Sequence, residues 1–342
     1  MQKWEQIQGV YIHTPFCLQK CLYCDFASYA GADTETMEKY VDAVCSEIMM
    51  RSNEVTIADQ ATLYFGGGTP SLLSEKLLAK LVEALQKNGC WLQPAEATIE
   101  VNPGTADLDK LRFFKDLGFD RISFGVQSLN DAELWAVGRI HTANEALDAI
   151  TMAEKAGFTR VSADLIYGLP EQSLQTLKTS LQNLTAAGLQ HLSVYGLTIE
   201  KNTPLAGMLD KGKVELPDED CQLAMYELVQ EYLEAQGLHR YEISNYAVSG
   251  QESRHNLVYW HYLPYLSFGS SACSFNGSQR FTATDSVTDY IESIQSGKSC
   301  GGFEDLTKEM QLSEYLFMGL RTTVGIDLIE TEQRFGCDVM LE

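Results

Sequence analysis

The cysteines between residues 15 and 26 have the spacing that most directly suggests chemistry. The stretch PFCLQKCLYCDF places Cys17, Cys21 and Cys24 in a C-x3-C-x2-C pattern. Three thiolates from one loop can hold three irons of a cubane 4Fe–4S cluster, which leaves the fourth iron open to a small molecule. Structural zinc sites instead repeat C-x2-C pairs at a distance. The spacing favours a reactive iron–sulfur centre. A zinc site with a distant fourth ligand, a mixed site that includes His13, and chance clustering are the alternatives.

Polar and glycine residues at the ends of predicted strands form a second candidate set. FGGGTP, residues 65 to 70, could let backbone groups approach a ligand that a Cβ would exclude, although a tight turn explains it about equally well. Glu100, in IEVNP, could accept from ribose hydroxyls or an ammonium group. Asp164 lies within the apolar run VSADLIYG and should face the interior with a partner, because an unpaired buried charge is costly. Gln127 and Arg139 complete the set, and an Arg139–Asp164 ion pair is the structural alternative.

Six short β-rich runs alternate with helical segments up to about residue 199. They are GVYIH, ATLYFGG, ATIEVN, RISFGVQ, RVSADLIYG and HLSVYGLTI, at 9–13, 61–67, 97–102, 121–127, 160–168 and 191–199. Strands that are each linked through a helix imply a parallel sheet. Periodicity does not separate an open doubly wound sheet from a curved partial barrel. In both, the active face lies at the carboxyl ends of the strands, where the motifs above are found.

The character of the sequence changes near residue 200. Residues 216–237 predict an amphipathic helix, residues 241–275 predict aromatic-rich strands that include HNLVYW, and a last helix is expected from about Thr307. The chain ends in GCDVMLE, partway into what reads as another helical element. We therefore expect the natural protein to continue and the final LE to be a cloning remnant.

Composition limits the classes of function. Asp and Glu outnumber Lys and Arg by 47 to 25, a formal charge of -22, which disfavours a nucleic-acid partner. The start, MQKWEQIQGVYIH, lacks the pattern of a signal peptide, and no run of 18 apolar residues predicts a membrane span. Nine cysteines without an export signal indicate a reducing cytoplasm. The six cysteines outside the loop are expected to be buried apolar residues, namely Cys45, Cys90, Cys221, Cys273, Cys300 and Cys337.

The cysteine pattern, with the aromatic Tyr23 before the last cysteine, resembles the signature of the radical S-adenosylmethionine (SAM) enzymes. The flanking YIHTPFC and YCDF are similar to the family of oxygen-independent coproporphyrinogen III oxidases (HemN) and HemW heme chaperones, and the similarity covers most of the chain. The resemblance implies a partial (β/α)6 radical-SAM barrel in residues 1–200. It also implies a smaller C-terminal α+β region, shortened at its end, in residues 201–342.

The family resemblance also implies cofactors and contacts. The open iron of the cluster would chelate SAM through its amino and carboxylate groups, and one electron from the cluster would cleave SAM to a 5′-deoxyadenosyl radical. The GGxTP loop of the family binds the SAM amino group. By resemblance the residues that contact SAM are Tyr11, Tyr23, Gly67, Gly68, Thr69, Glu100, Gln127, Arg139 and Asp164. No catalytic residue is assigned, and whether SAM is turned over stays open.

Two features separate the oxidase from the chaperone. The oxidase has a fourth cysteine two residues after Cys24, where this chain has Phe26, and it has an extension before the first strand, where this chain has ten residues ahead of Tyr11. HNLVYW also matches the H-N-x-x-Y-W motif associated with heme binding in HemW proteins. His255 would be an axial ligand of heme, Tyr259 and Trp260 would pack on the macrocycle, and His261 is an alternative ligand.

We therefore expect a HemW-type heme chaperone with a 4Fe–4S cluster, SAM and heme. Its partners would be client hemoproteins such as respiratory enzymes, and an electron donor. A homodimer and a peripheral association with membranes stay open. Radical decarboxylation of the propionate groups of coproporphyrinogen III, or the action of a related radical SAM transferase, is the alternative.

Overall fold

The computed structural model describes residues 4–91 and 93–336. The strands are β1 Trp4–Thr14, β2 Phe16–Cys17, β3 Tyr29–Ala30, β4 Val55–Gly67, β5 Ala97–Val101, β6 Arg121–Gln127, β7 Arg160–Tyr167, β8 His191–Gly196, β9 His239–Arg240, β10 Asn245–Ala247, β11 Tyr265–Phe268, β12 Cys273–Phe275, β13 Gln279–Ala283 and β14 Gly301–Asp305. The helices are α1 Thr34–Arg51, α2 Glu75–Lys87, α3 Leu108–Asp116, α4 Asp131–Ala136, α5 Ala143–Lys155, α6 Leu174–Ala186, α7 Pro204–Leu209, α8 Glu219–Ala235, α9 Arg254–Trp260, α10 Val287–Gln295, α11 Lys308–Gly319 and α12 Leu328–Phe335.

The six strands predicted for the first 200 residues are present and parallel. Strands β1, β4, β5, β6, β7 and β8 lie side by side in chain order. In a doubly wound sheet the order would reverse at a switch point, whereas consecutive right-handed crossovers place every connecting helix on the same face. The strand order therefore favours the curved partial barrel and argues against the open doubly wound sheet.

Each barrel strand alternates between a helix-covered face and an inner face. In β6 the apolar Ile122, Phe124 and Val126 enter the hydrophobic core, while Ser123 and Gln127 border an inner cavity. Because side chains in a strand alternate between faces, the apolar positions pack on the helices and the polar positions line the interior.

The barrel helices begin at side-chain caps that the sequence supplies. Asp33, Ser74, Asp107, Thr142 and Ser173 each accept a backbone N–H of the first turn of α1, α2, α3, α5 and α6. Each cap satisfies an amide that would otherwise lack a partner. The helices therefore start at defined residues, which fixes the length of the loop between each strand and its helix.

The C-terminal region extends the barrel sheet at both edges. Strand β11 pairs in parallel with β1 and is followed by the antiparallel β12, β13 and β14, while β10 and β9 are added beside β8. One sheet of twelve strands thus passes across the predicted boundary at residue 200. The region after the barrel closes both of its edges.

The prediction of strand structure for HNLVYW is wrong, because these residues lie in helix α9. Ser253 caps the helix by accepting the N–H of Asn256, and the carboxylate of Glu96 accepts the N–H groups of Arg254 and His255 at 3.2 and 3.1 Å. These tertiary contacts at the first turn outweigh the strand preference of aromatic residues.

The other predicted C-terminal elements are present. Helix α8 covers most of the predicted amphipathic segment, and α11 begins one residue after its cap, Thr307. GCDVMLE runs past Gly336, so the prediction of a further element, like that for Cys337, falls outside the described residues. Among the helices in 4–91 and 93–336, none combines the length and apolar character required to cross a bilayer.

Candidate active site

A cavity of about 530 Å³ opens at the carboxyl ends of the barrel strands. The predicted cluster cysteines and most of the predicted SAM contacts form its wall. The members of this set are Cys17, Cys21, Cys24, Tyr23, Gly67, Gly68, Thr69, Glu100, Gln127, Arg139 and Asp164. Residues from the cysteine loop and from four barrel strands or their loops thus meet at one place, as the parallel topology requires.

Two of the three cysteines receive hydrogen bonds from the cavity wall. Thr69 Oγ1 donates to Cys17 Sγ at 3.7 Å, and Arg139 Nη1 donates to Cys21 Sγ at 3.4 Å. Within the described residues, no three His, Cys, Asp or Glu side chains converge closely enough to hold one metal ion. A cubane takes one thiolate per iron, so three separated thiolates, of which Cys21 lies beside the Arg139 guanidinium, suit a cluster better than a single zinc ion.

Asn102 is a cavity residue that the sequence analysis did not single out. Its Nδ2 donates to Thr69 Oγ1 at 2.8 Å, and its Oδ1 accepts from Arg139 Nη2 at 2.9 Å. Asn102 thus holds both groups that donate to cysteine sulfurs. A signal was present in the motif IEVNP, where an amide side chain follows Glu100 by two residues and therefore shares its face of the strand.

The glycines of FGGGTP also permit close packing within the protein. A Cβ at Gly68 would lie 2.7 Å from the Phe16 carbonyl oxygen and 2.9 Å from that of Thr14, and one at Gly67 would lie 2.6 Å from the His13 ring. The glycines thus let this loop pack against the end of β1 and the start of the cysteine loop. Gly67 also has a φ of +110°, which favours glycine.

Two carboxylates face the cavity in different surroundings. Glu100 accepts from the Tyr64 hydroxyl at 2.7 Å and from the Gly67 N–H at 3.2 Å, and burial raises the pKa of Glu100 to about 7. Burial also raises the pKa of Asp164, although a hydrogen bond from Ser193 and the charge of Arg121 reduce this rise. Both groups can accept hydrogen bonds from a polar ligand when ionised.

The alternative ion pair between Arg139 and Asp164 does not form in the described part of the chain. Arg139 instead binds Cys21, Asn102 and the Gly125 carbonyl oxygen, while Ser123 donates to Asp164 at 3.4 Å. The Nε of Arg139 is buried without a hydrogen-bond partner. A buried unsatisfied N–H of a cation suits an anionic group, so the residues present fit the carboxylate of a bound amino-acid moiety such as that of SAM.

Two predicted SAM contacts differ from the others, Gln127 in its backbone conformation and Tyr11 in its location. Gln127 has a φ of 67°, next to an irregularity in the pairing of β6 with β7. Such strain in a residue other than glycine is typical of ligand sites. Tyr11 is the exception among the predicted SAM contacts: it does not border the cavity but stacks on Tyr64 and hydrogen-bonds to His13 Nδ1 at 3.1 Å.

The HNLVYW residues lie apart from the cavity wall. His255 is 1% exposed, with Nδ1 2.7 Å from Thr62 Oγ1 and Nε2 2.8 Å from the Tyr259 hydroxyl. Burial and the nearby Arg121 lower the pKa of His255 to about 3, so the ring is neutral. Trp260 is half-buried under the guanidinium of Arg321, and His261 is exposed. The predicted heme ligand is thus enclosed in this conformation, and its alternative is open to solvent.

Comparisons with known proteins identify the family of this chain. The family model of the radical SAM superfamily matches residues 11–184. The heme chaperone HemW of Bacillus subtilis is 35% identical over 96% of this chain and 87% of its own length. HemW of Escherichia coli is 37% identical over 77% of this chain and 69% of its own length.

A solved structure shares the fold. Coproporphyrinogen III oxidase (HemN) from Escherichia coli aligns with a TM-score of 0.85 at 23% identity, over 98% of this chain and 80% of the other. At that identity the likeness supports the architecture alone. The sequence relatives are closer and span both the barrel and the region after it. The chain belongs to the radical SAM superfamily and, within it, to the family of the HemW heme chaperones.

Proposed function

We propose that this chain is a heme chaperone that binds a 4Fe–4S cluster and SAM at the barrel mouth and delivers heme to client hemoproteins. The observation that carries the proposal is the 35% identity to a curated heme chaperone over 96% of the chain, which includes helix α9 and its intact HNLVYW. The cytoplasm is the proposed compartment, and an electron donor is a proposed partner.

The cavity supports the cofactor part of the proposal. Cys17, Cys21 and Cys24 would hold the cluster, whose fourth iron supplies an open position for SAM when it is bound. Arg139 would hold the SAM carboxylate through its unpartnered Nε. Glu100 and Asp164 would accept from the ammonium and ribose groups, and Gln127 would orient the adenosine part.

The heme part rests on HNLVYW. A neutral imidazole is a good axial ligand for heme iron, and burial keeps His255 neutral. Because hydrogen bonds occupy both ring nitrogens of His255, an iron–nitrogen bond requires the bond to Tyr259 to break and α9 to move. Tyr259 and Trp260 would then pack on the macrocycle. His261 needs no such movement and is the competing ligand.

An anaerobic titration of the cluster-reconstituted protein with heme, followed by Soret absorbance, tests this proposal. We expect saturable binding that weakens at least tenfold in His255→Ala and is unchanged in His261→Ala. The reverse result would assign the ligand to His261 and leave the chaperone function in place.

Binding that does not saturate would contradict the heme part altogether. The next sample would then be coproporphyrinogen III with SAM and a reductant, because the fold is shared with the oxidase. Phe26, 69% exposed at the cavity rim where the oxidase has a fourth cysteine, argues against that activity.

A further inference from the structure

Helix α9 places His255 against the inner side of the barrel. The helix contacts β1 and β4, and the imidazole of His255 bonds to Thr62 on β4. The imidazole also stacks on the ring of Tyr64, with centroids 5.0 Å apart and planes at 26°. His255 therefore supports one face of Tyr64 from within the barrel.

Tyr64 connects this imidazole to the cavity. Its hydroxyl donates to Glu100 Oε1 at 2.7 Å, while the Gly67 N–H holds the other carboxylate oxygen at 3.2 Å. Glu100 and Gly67 both border the cavity. A single aromatic side chain thus links the predicted heme ligand to a residue of the proposed SAM site.

The link is tightly packed. A Cβ at Gly9 would lie 3.2 Å from His255 Cε1, and one at Gly66 would lie 2.8 Å from Tyr64 Cε1 and 3.1 Å from the Glu100 carboxylate. The neighbouring strands therefore come close to both rings and to the carboxylate. Loss of the imidazole would remove the support of Tyr64 and leave a space into which its ring could turn.

The first turn of α9 is anchored to the barrel next to His255. Glu96, fully buried, accepts the N–H groups of Arg254 and His255 and pairs with Arg160 at 2.8 Å. Movement of α9 as a whole would break the bond of His255 to Thr62, whereas the bond to Tyr259 lies within the helix and must break separately before Nε2 can bind a heme iron.

We infer that His255 is a positioning residue for the SAM site, acting through Tyr64 on Glu100, and that heme captured by His255 weakens SAM binding. The second half of the inference rests on the proposed function. Because coupling between two ligands is reciprocal, SAM must weaken heme binding at His255 by the same factor. Heme loading and SAM binding would then alternate on one chain.

The positioning role is tested without heme. SAM affinity of the cluster-reconstituted protein is measured by calorimetry for His255→Ala, His255→Phe, Tyr64→Phe and the double variant Tyr64→Phe/His255→Ala. We expect about a tenfold loss in His255→Ala. Little loss is expected in His255→Phe, which keeps a ring against Tyr64 but has no ring nitrogen. His239→Ala, at an exposed histidine on β9, is the matched control.

The double variant separates positioning from a general loss of fold. If His255 acts through Tyr64, its replacement by alanine should cost much less when the Tyr64 hydroxyl is already absent. Iron content and the iron–sulfur absorbance must equal those of the parent protein. Unchanged SAM affinity in His255→Ala, or full additivity of the two substitutions, would overturn the inference.

The coupling is tested by SAM titrations with and without one equivalent of ferric heme. We expect the SAM dissociation constant to rise about tenfold with heme, the heme dissociation constant to rise equally with SAM, and both effects to vanish in His255→Phe. Saturable heme binding that leaves SAM affinity unchanged would overturn the coupling but not the proposed function. Absence of heme binding would overturn both, while the heme-free test of positioning would still stand by itself.

Discussion

Asn102 Nδ2 donates a hydrogen bond to the Thr69 hydroxyl at 2.8 Å. Thr69 donates to Cys17, and the same asparagine accepts from Arg139, which donates to Cys21. One amide therefore joins the environments of two of the proposed cluster cysteines. Hydrogen bonds to the sulfurs of an iron–sulfur cluster stabilise its reduced form and are one determinant of its potential.

Asn102→Ala should therefore make the cluster harder to reduce. A tenfold change in the equilibrium between oxidised and reduced cluster corresponds to about 59 mV for one electron, and we expect a negative shift of that order in an EPR-monitored redox titration. Asn183→Ala, at an exposed position of α6, should leave the potential unchanged. An unaltered potential in Asn102→Ala with full cluster content would show that the two donors hold their places without the amide.

Gly68→Ala should impair both folding and cluster uptake. The added methyl would meet two backbone carbonyl oxygens, which cannot move aside as a flexible side chain can. Such overpacking typically costs about 1–3 kcal/mol, and we expect a lower midpoint in denaturant and less iron after reconstitution. Gly207→Ala is the matched control, because a Cβ there meets nothing within 4 Å and helix α7 should gain about 0.5–1 kcal/mol.

Glu100→Gln should change how stability depends on pH in the protein without bound ligands. Because the folded pKa of Glu100, about 7, lies above its ordinary value, this carboxyl favours folding fully below about pH 4.5 and loses that contribution as pH rises through 7. The charged groups facing it are Asp164 and Arg121. Thermal melts at pH 5 and pH 8 should show a relative gain for Glu100→Gln at pH 8. Glu154→Gln, at an exposed position, is the control. If it shows the same change of melting temperature between pH 5 and pH 8, the effect comes from the buffer and not from Glu100.

Glu96→Ala should destabilise the fold by about 3 kcal/mol or more, because it leaves the largely buried Arg160 without its partner and removes the acceptor for two N–H groups of α9. Chemical denaturation measures this cost. Glu96→Gln, which keeps one acceptor oxygen, should lose less. Glu83→Ala, in an exposed pair with Lys87, should lose under about 1 kcal/mol. If Glu83→Ala and Glu96→Ala lower the free energy of unfolding equally, the contacts of Glu96 with α9 and Arg160 would not contribute more to stability than an exposed ion pair.

The barrel could be predicted from sequence because its signals are local. In RISFGVQ the apolar residues alternate with small or polar ones, and Thr142 with Glu145 forms a capping box at the start of α5. The cysteine spacing is also local, so the cavity position of the three thiols followed from one stretch of eight residues.

The features that were missed depend on contacts between distant parts of the chain. HNLVYW is aromatic enough to suggest a strand, and the bond from the His255 N–H to Glu96, some 159 residues earlier, exists only in the folded chain. The packing of Gly68 against the Phe16 carbonyl and the two bonds of Asn102 likewise exist only after the strands are assembled. The periodic patterns of apolar and polar residues do not indicate such contacts.

The parallel pairing of β1 with β11 has a consequence for how the protein is made. Ile12 lies opposite Phe268, so β1 waits for the synthesis of more than two hundred further residues before its outer edge is covered. Uncovered strand edges pair readily with other chains, and contacts between distant residues form slowly. The loop with Cys17 follows that same strand. Insertion of iron and sulfide should therefore follow the synthesis of β11, and shielding of β1 by a general chaperone should raise the yield of the loaded protein.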